Sequence, residues 1–442
     1  MGFNFNYNFF QSIRTESKNH FSFLPFILLI TTIPLHNGVN NFFLVFFSLS
    51  VLVKINKTKF HLDKNLLPLI LLFVISALSL LWSIDLDKSF KALSRFIPFI
   101  LVPLLFMMMK PFTKEQVYKI IAVFSFSIVF YTLFYFIKAL IRFIIKGDID
   151  SFFYHQLIPK ELNAIHFSVF VSFAFLYFFT QQIKTNYGKI ICGLLFLFMI
   201  LLSAYAILLT FIVLLIYYYF FFSKTGNQLR LRNLIVFVLL IFTIIFVRKI
   251  EETVVIELKA NTEKSINHTV IDKNEFGLKI ISIKEAWTNE KFTPNDFFPG
   301  TAFRVYQARM FVELFQEEHV FLTGFGLNAS YKKLEEKAIK YDVFRGNESQ
   351  EGYQTKNFHN QYIQNFAELG VFGFLILLII LGLNLKNAFK NKDFVQISFA
   401  VLMISLFLTE SFLWRQRGVM FFCLMYCLFN AKESLAPIKE KI

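Results

Sequence analysis

The chain has 442 residues, 56% of them hydrophobic and 17% charged, against roughly 45–50% and about 25% in a soluble globular protein. Its 63 phenylalanines exceed what a water-soluble core can hide beside an ordinary share of Leu and Ile. These proportions exclude a disordered chain, a secreted disulfide scaffold and a cytosolic globule, and leave a membrane protein whose formal charge of +15 has to sit at the membrane edges.

In chain order, apolar stretches lie at 22–35, 42–55, 66–84, 95–109, 117–145, 164–181, 189–203, 206–222, 234–249, 371–385, 394–409 and 418–430. In lipid the backbone has to satisfy its own hydrogen bonds, so the expected fold is all-α: a polytopic membrane protein of about 12 transmembrane helices. Arg14 and Lys18 precede the first stretch with no small-residue cleavage site after it, so an uncleaved first helix is expected rather than a signal peptide. Cys192, Cys423 and Cys427 all fall inside apolar stretches and read as packing residues. No Gly-rich phosphate loop ends in Gly-Lys-Ser/Thr, so ATP-driven transport has no engine in this sequence.

Charge sets the orientation. One set of alternate loops carries Lys54, Lys57, Lys59, Lys64, Lys110, Lys114, Lys119, Lys184, Lys189, Lys224, Arg230, Arg232, Lys386, Lys390 and Lys392. The opposite set carries only Lys88, Lys91, Lys146, Lys160, Arg415 and Arg417. By the positive-inside rule the first set is cytoplasmic, and both termini with it. Three parts are expected: a bundle of about nine spans over 1–250, a large external helical loop over 251–358, and three spans with a cytoplasmic tail over 359–442.

Basic residues on the external side oppose topology and need another reason. Arg95, Lys138, Arg142, Arg248, Lys249, Arg415 and Arg417 cluster at the outer ends of spans. Arginine is prominent there and lysine dominates the cytoplasmic loops, which fits the guanidinium's bidentate pairing with phosphate. An anionic headgroup, a lipid diphosphate, is the expected ligand; snorkelling to ordinary lipid phosphates is the alternative.

Within the long loop, Pro299-Gly300-Thr301 precedes an apolar stripe of Phe303, Tyr306, Met310 and Leu314, predicting a helix from about 302 to 318. Arg304 falls in its first turn, where a cation opposes the helix dipole and an anion site forms naturally. Arg309 points about 140° away around the helix and has Glu313 four residues on as a salt-bridge partner. The loop closes at His359, which stands at a helix start beside the inferred diphosphate site, where imidazole is placed to accept a proton. The pairs Asp85/Asp87 and Asp148/Asp150 read as solvated loop carboxylates. His155, His166, His268 and His319 show no metal-ligand spacing.

These residues resemble the O-antigen ligase and polymerase superfamily of bacterial envelope polysaccharide assembly. That family's signature of His, Asn/Ser/Gln, nine residues, Gly, two residues and Gly/Thr/Tyr is met by His359, Asn360, Gly370 and Gly373. Arg304 with its following helix and Gly324-Phe325-Gly326 is similar to the family's external arginine motif. Glu410-Ser411 and Arg415-Gln416-Arg417-Gly418 also look familiar. The likeness covers about 300–430, while the first 230 residues agree in topology only. Many relatives carry a basic residue where this chain has Ala204 in Ser203-Ala204-Tyr205; Arg95 or Arg142 are the candidates to replace it.

The resemblance implies a GT-C-like glycosyltransferase without metal, nucleotide or other cofactor, acting at the periplasmic face of the inner membrane. The donor would be a glycan on undecaprenyl diphosphate and the acceptor a lipid A-core sugar hydroxyl, with His359 catalytic and Arg304, Arg309, Arg95, Arg142, Arg415 and Arg417 on the diphosphate. A polymerase of the same superfamily would take a second lipid-linked glycan as acceptor, and a protein O-oligosaccharyltransferase a Ser or Thr hydroxyl. A lipid-linked glycan transporter needs ionisable groups near the midplane, whereas the Arg and His set here is one-sided.

Overall fold

Each apolar stretch expected to span a membrane forms helix over most of its length where the computed structural model describes it, over residues 7–57, 60–159, 161–180, 186–223, 279–318, 320–347 and 351–432. The expected ninth span with Arg248 and Lys249, the first part of the long loop, His268 and His319 lie outside the described residues. The helices are α1 (Tyr7–Asn19), α2 (Phe23–Thr31), α3 (Asn37–Leu52), α4 (Leu67–Leu78), α5 (Leu86–Phe96), α6 (Pro98–Met108), α7 (Lys114–Lys146), α8 (Tyr154–Leu157), α9 (Ala164–Thr180), α10 (Asn186–Leu201) and α11 (Tyr205–Phe221). In the long loop, β1 (Lys279–Ile280) pairs in parallel with β2 (Asp296–Phe297) around α12 (Ile283–Thr288), and α13 (Gly300–Glu317) and α14 (Ser330–Lys340) follow. The chain then forms α15 (Gln361–Asn391), α16 (Phe394–Thr409) and α17 (Gln416–Asn430).

Among the described residues, Leu86–Met108, Lys114–Lys146 and Gln361–Asn391 are long and apolar enough to cross a membrane, and six further helices are apolar over 10–17 residues. One expected boundary moves. Residues 86–94, read as loop, form most of amphipathic α5, whose N-cap Asp85 accepts the Lys88 N–H at 3.1 Å. Arg95 therefore sits in the last turn of α5, ahead of Pro98 at the start of α6. Asp148 is likewise a cap, accepting the Asp150 N–H at 2.9 Å.

The phenylalanines divide by role. Phe124, Phe170, Phe173, Phe399 and Phe421 interlock from four helices with ring centroids 4.6–6.5 Å apart, mostly tilted or edge-on, the arrangement that ring quadrupoles favour. Along α7, Phe130, Phe134, Ile137, Ile141 and Ile144 are exposed at three- and four-residue spacing. An apolar stripe of that extent is stable against lipid and not against water.

The two ends of the bundle differ in chemistry. At one, Glu16 accepts from Lys119 Nζ (2.6 Å) and Gln116 Nε2 (2.9 Å), the His20 ring lies 2.6 Å from the Lys110 carbonyl, and Asn65 Nδ2 donates to the Asn430 carbonyl (3.0 Å). At the other, Arg417 donates from Nε and Nη2 to the Leu35 carbonyl (3.0 and 2.9 Å) and Arg95 to the Trp414 carbonyl (2.9 Å).

α15 breaks at Gly370, whose φ of 65° and ψ of −165° are not helical. A Cβ there would lie 2.1 Å from the Leu322 carbonyl oxygen, so only glycine fits. The break frees backbone groups that the loop engages: Phe325 and Gly326 N–H donate to the Ala367 and Glu368 carbonyls (both 2.9 Å), and Val371 N–H donates to the Phe321 carbonyl (2.9 Å). The same segment is fastened on its other side by Trp82 Nε1, which donates to the Thr323 carbonyl at 2.9 Å, and by Ile84 N–H, which donates to the Phe325 carbonyl at 3.1 Å. Gly324, Gly326 and Gly370 thus serve one joint between loop and span.

Candidate functional site

Three segments converge at the arginine-bearing end: the start of α13, the residues before α15, and the turn between α16 and α17. α13 starts at Gly300, two residues earlier than expected, with Pro299 before it in place of a side-chain cap. Arg304 consequently lies one turn in, and its guanidinium leaves the helix. It donates from Nε to the Thr409 carbonyl (3.0 Å), from Nη1 to the Gly300 carbonyl (3.1 Å) and from Nη2 to Glu410 Oε1 (3.1 Å). These bonds use three of five N–H donors, and the side chain stays 33% exposed.

Glu410 terminates α16 in extended conformation and is only 5% exposed. Burial pushes its carboxyl up, but the hydrogen bond from His359 and the neighbouring Arg304 guanidinium outweigh this and hold it below the ordinary carboxylate range. His359 Nδ1 lies 3.4 Å from the same Oε1, long for a hydrogen bond, in a class of contact that tightens when substrate binds. The histidine backbone has φ 47°, a left-handed conformation costing on the order of 1–3 kcal/mol outside glycine. Asn357 Oδ1 accepts its N–H at 2.9 Å and the Phe303 ring meets the imidazole edge-on at 5.5 Å. One buried carboxylate therefore holds both the histidine and the arginine singled out in the sequence.

A polar layer fixes this geometry from behind. Gln361 Oε1 accepts the Leu413 N–H (2.8 Å), and Gln364 Oε1 accepts the Phe358 N–H (3.2 Å) and the Ser411 hydroxyl (3.3 Å). Asn360 caps α15 by accepting the Ile363 N–H (3.0 Å) and donates to the Leu408 carbonyl (3.1 Å). The first turns of α15 are thereby locked to the residues on both sides of Glu410.

The remaining arginines separate by their partners. Arg415 is exposed, and its guanidinium makes no hydrogen bond or ion pair among the described residues. Arg309 donates to Glu313 Oε1 (2.8 Å), the Asn289 carbonyl (2.7 Å) and the Tyr341 hydroxyl (3.0 Å), and stacks 4.7 Å over the Tyr341 ring. Those contacts are internal to the loop and involve neither His359 nor Glu410. Arg95 lies 4.4 Å over the Trp414 ring, and Arg142 donates to the Ser151 and Gln156 carbonyls. Arg417 joins the α2–α3 turn to the segment before α9 through the Leu35 and Glu161 carbonyls. At the Ser203-Ala204-Tyr205 turn, Ala204 is buried.

In the sequence Glu410 stands within the Glu410-Ser411 pair with no role of its own. Its signal was an acidic residue closing an apolar stretch at the end of the bundle otherwise marked by arginine. For His166 the sequence spacing bears only on metal ligation. It is buried in the first turn of α9, its ring meets Phe412 at 4.6 Å, its Nδ1 has no hydrogen-bond partner among the described residues, and the charges of Glu410, Arg415, Arg417 and His359 reach it. Tyr154 lies within electrostatic range of Glu410 and Arg304.

No curated protein matches the chain significantly. Residues 190–378 match the family model described as O-antigen ligase. That segment runs from α10 into α15 and contains Arg304, His359 and the Gly370 break, while Glu410 and Arg415 lie beyond it. Over this segment, which is less than half of its length, the mostly helical chain is similar to the O-antigen ligase family.

Proposed function

We propose that the protein is a glycosyltransferase of the bacterial inner membrane. It moves a glycan from undecaprenyl diphosphate to a sugar hydroxyl of lipid A-core at the periplasmic face, with both termini cytoplasmic. The observation that carries this reading is the shared carboxylate of Glu410, which aligns His359 and Arg304 at one end of the bundle. With Nδ1–H directed at Glu410, Nε2 is left as the acceptor, and it takes the proton of the attacking hydroxyl. The hydroxyl oxygen bonds to the anomeric carbon as the bond from that carbon to the diphosphate oxygen breaks, inverting the centre. The lipid diphosphate leaves with the bonding pair.

The two free donors of Arg304 and the guanidinium of Arg415 offset the charge that develops on the leaving group, an electrostatic contribution realised mainly in the transition state. Arg415 thus takes the part of the basic residue replaced by Ala204, and Arg95, Arg142, Arg309 and Arg417 hold the walls. Glu410 is a positioning residue: it orients the imidazole and stabilises the imidazolium. Holding two amphiphiles at one membrane surface supplies the remaining advantage through proximity.

The test is genetic and chemical. His359→Ala and Arg304→Ala should each abolish glycan attachment while the protein remains membrane-inserted and the lipid-linked donor accumulates. Normal attachment in the His359 variant would refute the catalytic role. Deletion identifies the acceptor: loss of capped core lipid with long donor chains intact indicates a ligase, and chains cut to one repeat indicate a polymerase.

A further inference from the structure

His166 is 3% exposed, yet neither nitrogen of its ring makes a hydrogen bond among the described residues. A buried polar group left in that state costs stability, so its presence at a charged site points to a partner that arrives with the substrate. Its surroundings hold it firmly. Asn163 Oδ1 accepts the N–H groups of Ile165 (2.9 Å) and His166 (3.4 Å) at the start of α9, and the Phe412 ring, two residues from Glu410, meets the imidazole at 4.6 Å. Upstream, Leu157, Ile158 and Leu162 are buried, and Arg142 and Arg417 hold the Gln156 and Glu161 carbonyls. Those two arginines thus fasten the stretch between α8 and α9 to the bundle. Tyr154 (φ 45°) and Asn163 (φ 62°) bound it in left-handed conformation, which outside glycine gathers at ligand sites. Two side chains are delivered to the charged site in this way. Tyr154, 36% exposed, lies within electrostatic range of Glu410 and Arg304, and His166 within range of Glu410, His359 and Arg415.

We infer that His166 hydrogen-bonds a hydroxyl of the sugar joined to the donor's diphosphate, with Tyr154 against that sugar, and that the pair sets which first sugar is accepted. This rests on the donor reading given above. The anomeric carbon of that sugar lies, by its covalent bonds, between a diphosphate at Arg304 and Arg415 and the base at His359, and Tyr154 and His166 are each near one of those arginines. An imidazole offers one N–H and one lone pair, matching a sugar hydroxyl that both donates and accepts. A site built to hydrogen-bond a hydroxyl rejects the analogue lacking it far more strongly than an apolar pocket rejects a change of shape. Tyr154 adds an apolar ring face for the C–H side of the sugar and a polar tip for its rim.

The test is equilibrium binding to the full chain in detergent micelles with three probes: the producing strain's lipid-linked glycan, sugar-free undecaprenyl diphosphate, and the strain's lipid A-core. His166→Phe keeps a ring against Phe412 and removes both nitrogens. It should weaken the lipid-linked glycan about tenfold, with the other two probes and the melting temperature unchanged. His166→Gln, which restores a donor and an acceptor, should recover part of the loss. Tyr154→Ala, at an exposed position, should show the same sugar-selective loss and decides the matter should His166→Phe fail to fold. Unchanged affinity for the lipid-linked glycan in a folded His166→Phe protein overturns the inference. Equal loss for undecaprenyl diphosphate overturns it too, by placing the effect in the fold, as does loss confined to lipid A-core, by placing the pair on the acceptor. Failure of the donor reading looks different: the unmodified protein would not distinguish undecaprenyl diphosphate from undecaprenol, and both conclusions would fall.

Discussion

Glu410→Gln isolates the role of the shared carboxylate, because it keeps the shape of the side chain and removes its charge. At 3.4 Å from His359 Nδ1, a full imidazolium–carboxylate pair is worth about 5 kcal/mol at an effective dielectric of about 20. With proton transfer roughly half complete in the transition state, about 2–2.5 kcal/mol of that is lost, a fall in kcat of about 30- to 70-fold. Removing the proposed base with His359→Ala should cost on the order of 10²–10⁴. The assay is turnover by purified protein with lipid-linked donor and core acceptor, reading kcat and KM separately. Glu410→Gln should act mainly on kcat, and Glu410→Asp should recover part of it. The carboxyl is held below the ordinary carboxylate range, so it stays ionised above about pH 4.5 and adds no limb to the rate profile between pH 5 and 8. A Glu410→Gln protein with kcat within twofold of the parent, beside an inactive His359→Ala, would refute the orienting role.

Arg309 and Arg415 should part company. Arg309→Ala removes four hydrogen bonds and the stacking on Tyr341, lowering stability by about 3 kcal/mol with kcat/KM unchanged in the folded fraction; Arg415→Ala should weaken donor binding about tenfold with melting unchanged. Gly370→Ala puts a Cβ 2.1 Å from the Leu322 carbonyl at a left-handed position, and about 3 kcal/mol of destabilisation should appear as a lower melting temperature in detergent. In the loop, burial pushes the Glu313 carboxyl up, while hydrogen bonds from Lys337, Tyr341 and Arg309 outweigh it and hold it below its usual range. A depressed value stabilises the fold above the unfolded pKa and stops doing so as pH falls through the folded one. The melting difference between the parent and Glu313→Gln should therefore be constant from pH 8 to 6 and shrink below about pH 4.5.

The helical spans were legible because a lipid-facing helix has to be apolar on nearly every residue, a signal strong enough to survive without alignment. α5 was not, since its amphipathic nine-residue lead-in has the charge content of a loop. His359 and Arg304 stood out by their position at helix starts, at the end of the bundle where arginine rather than lysine collects. What the sequence hid was pairing. Glu410 is 106 positions from Arg304 and 51 from His359, and no local periodicity reports a contact across such distances. Arg309 was foreseen to pair with Glu313, but its further donors to Asn289 and Tyr341 depend on how α12 and α14 pack. Arg95 and Arg142 share the charge and the end of the bundle that made them candidates, and only the carbonyls they meet separate them from Arg415.

The break at Gly370 has a consequence for the order in which the molecule is assembled. Carbonyls and an N–H left open inside a membrane-facing helix cost several kcal/mol each when nothing accepts or donates to them. Here their partners are Phe321, Phe325 and Gly326, residues made by the ribosome before α15 exists. The kinked helix is thus completed by a segment already waiting for it, and a chain that lost residues 321–326 would be expected to straighten α15 through Gly370. The histidine would then be carried off its carboxylate. Activity and correct insertion of this span are in that sense a single folding event.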